Sequence, residues 1–160
     1  MRKIIPVLFV LLLTMVACSS SIDYPLNNTV YTNYKLAGYV DTLKDTLTIW
    51  TVDQNNQRDT VFQSKANVDS CLVAMSYTRD QDILIFEVKS LDHQTYLDTV
   101  TISKTNQPHF ETVDCPPAYF HTITKVDYTT NALDSIRINK KEVNYDATTP
   151  HFYIYFKDLD

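Results

Sequence analysis

From Tyr31 to Lys157 apolar and polar residues alternate with a period of two, and no stretch holds a sustained helical period. Successive side chains on a strand point to opposite faces, and Thr, Val, Ile, Tyr and Phe, which dominate here, fit a half-buried pleated surface. A chain patterned this way must stack sheets to cover their apolar faces. The pattern predicts an all-β fold, an antiparallel β-sandwich that is immunoglobulin-like in the broad sense, with a small barrel as the alternative. Predicted strands run over 45–50, 60–64, 69–76, 83–88, 98–104, 120–128, 133–139 and 151–157. Asp53 to Gln57 and Arg79 to Asp82 read as polar turns. Cys71, Val73 and Met75 share one face, taken as inward, and Ile83 to Val88 is apolar on both faces, as a central strand is. In the last strand Phe152, Ile154 and Phe156 take the core side, leaving Tyr153 and Tyr155 on the other.

Gly38 is the chain's only glycine. Phosphate-cradling loops, dinucleotide fingerprints and the G-x-S-x-G elbow need several glycines for close backbone approach or strained turns, so all three are excluded. Asn and Asp, which tolerate left-handed backbone, replace glycine in the turns. An Asp followed by Thr or Ser and an aliphatic recurs at Asp45, Asp59, Asp98 and Asp134. It reads as a strand-start signal in which the carboxylate closes the preceding turn, with calcium binding as the rarer alternative.

The amino terminus is organised differently. Arg2 and Lys3 precede an apolar run from Ile4 to Ala17, broken only by Pro6 and Thr14, and Ala17-Cys18 closes it. That layout is an export signal. As a helix the run would span roughly 21 Å, short of the ~30 Å hydrocarbon core, so it is read as a leader and not as a permanent span. Met15-Val16-Ala17-Cys18 resembles a bacterial lipobox, which implies cleavage before Cys18 and acylation of its sulfur; Met15 stands where Leu is usual. An ordinary secretory signal with a soluble product is the alternative. The expected organisation is a helical signal peptide over 1–17, lipidated Cys18 and a tether over 18–29, and a single β-sandwich domain over 30–160. The tether reaches at most ~40 Å, which keeps the domain near the bilayer. Its one acidic residue, Asp23, favours the periplasm-facing side of an outer membrane over the cell surface.

Removing residues 1–17 takes away Arg2 and Lys3 and no acid, so the net charge goes from −5 to −7. An acidic chain without a basic cluster argues against nucleic acid and against electrostatic docking on anionic lipid. The expected partners are the membrane, through the lipid anchor, and an envelope protein or glycan. Two stretches, Asp98 to Phe110 running on to Cys115, and Asp134 to Ile138 running on to Asp146, with the closing His151 to Phe156, resemble small uncharacterised lipoproteins of Bacteroides and its relatives. The resemblance covers roughly Asp45 to Lys157. It implies compartment and fold, and brings no catalytic or ligand residue with it.

No local motif selects a chemistry. Cys71 and Cys115 form an even pair that a disulfide could join, contributing about 4 kcal/mol by loop entropy, against a core thiol and a loop thiol as the plain alternative. His109, Cys115 and His121 have wider spacing than zinc sites show, and His93 and His151 stand apart, so no metal and no cofactor is expected. His109 and His151 both sit in Pro-His-Phe, where an imidazole can satisfy a loose backbone group. Tyr153 and Tyr155 lie about 7 Å apart on a strand and could stack a sugar, although tyrosine also suits any half-wet sheet face; Trp50 carries the same two readings. The resulting expectation is a non-catalytic binding or structural module. A glycan-binding accessory protein using Tyr153 and Tyr155, or a hydrolase with a dispersed site, are the alternatives.

Overall fold

The computed structural model describes residues 29–159, apart from 54, 56, 64, 65 and 112–115. The leader, Cys18, most of the tether and Cys115 lie outside the described residues. The described residues form ten strands: β1 Tyr31–Leu36, β2 Thr46–Val52, β3 Arg58–Phe62, β4 Ser70–Ala74, β5 Gln81–Lys89, β6 Thr95–His109, β7 Ala118–Tyr128, β8 Leu133–Ile138, β9 Glu142–Val143 and β10 Phe152–Phe156. No helix among the described residues is long and apolar enough to cross a membrane.

The strands form two sheets, one of four in the order β4-β1-β10-β8 and one of six in the order β3-β2-β5-β6-β7-β9. Their inner faces pack as a sandwich around one cluster of buried apolar side chains. Tyr34 on β1 joins the two: its ring stacks on Phe152 of the same sheet at 4.9 Å and meets Phe86 of the opposite sheet edge-on at 6.0 Å. Each such fully buried side chain contributes about 1.5–3 kcal/mol through the apolar surface it removes from water. Cys71, Val73 and Met75 face inward as expected, and so do Phe152, Ile154 and Phe156. β5 is a central strand, flanked by β2 and β6.

Three details depart from the expectation. β1 and β10 pair in parallel, Tyr34 opposite Phe152 and Leu36 opposite Ile154, so the sheets are not wholly antiparallel. Pairing between the first and last strands depends on the whole chain's path and leaves no local trace. β6 runs on through Asn106, Gln107 and Pro108, residues of low strand propensity, because in this outer stretch it pairs only with β7. Proline's missing N–H costs nothing on an unpaired side. Finally, a bulge opposite Ser103 and Lys104 interrupts the β6–β7 ladder. It shifts the alternation on β7, so that Val126 and then Ile123 and His121, rather than Thr124 and Thr122, turn to the inner face.

Gly38 has a structural reason. Its φ is +90°, and a Cβ placed there would stand 2.8 Å from Cδ1 of Tyr155. Only glycine suits both demands.

Candidate functional site

Of the Asp residues named as strand starts, Asp98 does different work from the one expected. Asp98 lies inside β6, fully buried, and reaches the β7–β8 turn instead of its own preceding turn. One carboxylate oxygen accepts from Oγ1 of Thr129 at 2.7 Å and the backbone N–H of Asn131 at 2.6 Å. The other accepts from the N–H groups of Ala132 and Leu133 at 2.7 and 2.8 Å. Asp59 is an exposed residue within β3, and Asp134 lies in β8 with Ser135 donating to it. Only Asp45 sits just before a strand, largely buried ahead of β2. Among the described residues no three His, Cys, Asp or Glu side chains stand close enough to hold a metal ion.

The histidines are dispersed. His93 lies in the turn after β5 with φ 68°. His151 is fully buried, and its Nδ1 accepts the N–H of Asn33 at 3.0 Å, which is the backbone-satisfying role its Pro-His-Phe setting suggested. Burial, with the nearby Lys140 charge, holds its imidazole below the ordinary histidine range. His109 does not share that role: it stacks on Phe120 at 4.3 Å, with Tyr145 edge-on to Phe120 at 5.1 Å. His121 points to the other face of the same hairpin. Cys71 is a buried free thiol, pushed up to about 12 by burial and therefore inert at neutral pH. Its proposed partner, Cys115, lies outside the described residues.

Tyr153 and Tyr155 are half-buried on the outer face of the four-stranded sheet. Tyr153 stands in register between Lys35 and Arg137. Tyr155 packs against Gly38, and the Arg137 guanidinium lies 5.4 Å from its ring centre. Own-chain contacts thus take up much of Tyr155. Trp50 is likewise covered, by Arg58 at 4.7 Å, which also pairs with Glu87 at 3.0 Å.

A polar assembly that the sequence did not single out occupies the end of the sandwich where the β6–β7 hairpin passes the β4–β5 turn. Lys104 continues the inward row of Val100 and Ile102, so its ammonium is forced out of water. Nζ donates to the carbonyls of Ser76 and Arg79, each at 2.5 Å, and to Oδ1 of Asn106 at 3.1 Å. Asp82 Oδ2 stands 3.5 Å away. All three ammonium protons are used. Burial still outweighs the pairing: it pulls the Lys104 ammonium down and pushes the Asp82 carboxyl up.

Asn106 passes this arrangement on to His121. Its Nδ2 donates to the carbonyls of Tyr77 and Arg79 at 3.3 and 3.0 Å, which fixes the amide and leaves Oδ1 as an acceptor. Oδ1 lies 2.8 Å from Nδ1 of His121. Since Oδ1 can only accept, Nδ1 carries the proton and Nε2 is the bare nitrogen. Burial, with the Lys104 charge behind it, lowers His121 to about 4, so the ring is neutral at pH 7.

His121 lines a cleft of about 340 Å³ with Thr29, Met75, Tyr77, Pro116 and Tyr119. Tyr77 is 59% exposed and stacks on Tyr119, ring centres 5.0 Å apart and planes 18° from parallel. A second cleft, of about 440 Å³, lies at the other end of β1, walled by Tyr39, Leu43, Asn67 and Lys157. Its walls are mainly a loop and the chain's last residues, whereas strands set His121 and Tyr119 in place.

Residues 46–156 match the model of a family described as Family of unknown function (DUF6452). The chain belongs to that family. The match agrees in extent with the stretch from Asp45 to Lys157 that the resemblance covered, and it takes in the polar assembly, both cleft tyrosines and the Asp98 clamp. No curated protein and no solved structure matches the chain.

Proposed function

We propose that this member of the family is a lipid-anchored envelope protein that works as a non-catalytic binding module, of the kind its resemblance to Bacteroides-type lipoproteins implies. Arg2-Lys3, the apolar run and Ala17-Cys18 support the anchor. The acyl chains on Cys18 hold the domain beside an outer membrane, facing the periplasm. One acyl chain binds only marginally, whereas two or more anchor stably.

The observation that carries binding is the cleft beside Thr29, where the tether joins the domain, whose described lining residues are all uncharged. The same cleft argues against a hydrolase. Ser76 and His121 both line it, but the Ser76 hydroxyl is engaged with Thr78 at 3.1 Å, and an imidazole near 4 is a poor base at pH 7. Among the described residues no carboxylate lines the cleft.

Membrane fractionation with Cys18→Ala tests the anchor. The unsubstituted chain is expected in the detergent-extracted membrane fraction and the variant in the soluble periplasmic one. A variant that still requires detergent defeats the reading.

A further inference from the structure

We propose that the cleft beside Thr29 is a saccharide subsite, which takes an uncharged pyranose with its C–H face on the Tyr77 ring and one hydroxyl donating to Nε2 of His121. The inference rests on the binding-module reading and gives it a ligand class.

Four observations point the same way. First, Tyr77 is exposed yet ordered, because Tyr119 backs it; a ring held in place before the ligand arrives loses little side-chain freedom on binding. Second, the hydrogen bonding of Asn106 leaves His121 a bare Nε2, which needs a donor such as a hydroxyl. A pure hydrocarbon would leave that acceptor unpaired. Third, every described residue on the wall is uncharged; Val30, Met75, Ser76 and Pro116-Pro117 accompany the aromatic rings. An ionic ligand would shed its water there without gaining a counter-charge, and the buried Lys104 is already matched by Asp82. Fourth, the nearby outer stretch of β6 is a poor edge for an added peptide strand. Pro108 offers no N–H there, and the Asn106 side chain ties this edge to the Tyr77 and Arg79 carbonyls of the β4–β5 turn. A volume of about 340 Å³ suits one or two sugar rings, at the lower end of ligand-site sizes.

The test is a titration of the ¹⁵N-labelled, acylated full chain in a sugar-free detergent with maltose, lactose, cellobiose and N,N′-diacetylchitobiose, alongside glucuronic acid and glucosamine. At least one neutral disaccharide should move the His121 Nε2 and Tyr77 ring signals. Tyr77→Ala should weaken that response about tenfold, the loss of one aromatic stacking contact. Tyr39→Ala, at the opposite cleft, should leave it unchanged. Silence from all four neutral sugars, an unaltered Tyr77→Ala, or equal binding of the charged sugars overturns the proposal. Capture of an envelope component on the immobilised chain scores the module reading separately. Capture that survives Tyr77→Ala without any sugar response removes the saccharide and leaves the module; neither capture nor sugar response removes both.

Discussion

Asp98 and Lys104 lie on one strand, face the same core and are both out of water, yet their charges are met in opposite ways. Asp98 receives all four of its hydrogen bonds from one short segment, Thr129 to Leu133, which leads directly into β8 of the other sheet. It is a staple, complete in itself. Lys104 divides its protons among the β4–β5 turn and Asn106, leans on Asp82, and through Asn106 sets the proton position on His121. The first end of β6 closes the fold. The second end keeps several coupled groups poised beside an open cleft.

The largest effect should come from breaking the staple. Asp98→Ala strands the buried N–H groups of Ala132 and Leu133, frees Thr129 and Asn131, and is expected to lower unfolding free energy by about 3–5 kcal/mol in urea melts. A loss under about 1 kcal/mol would erase the contrast. Next, Lys104→Met leaves Asp82 buried without its partner, at a cost of about 3 kcal/mol, while Lys104→Met combined with Asp82→Leu should regain most of it. A double variant as weak as the sum of the singles would mean the two are not a unit.

Acid should also single out the Lys104 end. His121 is lowered to about 4 in the fold, by burial first and by Lys104 second, with Asp82, Asp80 and Arg79 nearby. The unfolded chain therefore binds a proton that the folded chain refuses. Stability from this group is complete above about pH 6.5, falls as pH drops towards about 4, and then levels off. The loss amounts to up to about 3 kcal/mol, with buried His151 adding in the same direction. Thermal melts across that range should show the slope, and His121→Gln should flatten it. Equal slopes in the two proteins would refute the assignment. The smallest effect belongs to Tyr77→Ala, which should change stability by under about 0.5 kcal/mol, since the ring is mostly in water. A larger loss would make Tyr77 a structural residue and blur the division between closed and open ends.

Much of the fold could be read from alternation alone. β2, β4, β5 and β10 follow from their apolar rows, and Cys71, Val73 and Met75 fall on the inner face as their spacing requires. The parallel β1–β10 pair, the two-residue β9 and the passage of β6 through Pro108 could not, because each depends on what lies alongside and not on local propensity. Asp98 was visible as a motif, but its partners stand more than thirty residues away, and no periodicity carries that information. For the cleft, the sequence does carry signals. Val100, Ile102 and Lys104 share one parity, which puts the lysine inside. The parity break between Ile123 and Val126 marks the bulge that turns His121 inward. His121 drew attention only as a metal ligand, a role for which no cluster exists among the described residues.

The chemistry of the cleft turns on which nitrogen of His121 holds the proton. Two-bond ¹H–¹⁵N correlation spectra of the imidazole, recorded from pH 7.5 downward, should show the Nδ1–H form, with its protonation midpoint at about pH 4. An Nε2–H ring, or a midpoint near 6.5, would contradict it.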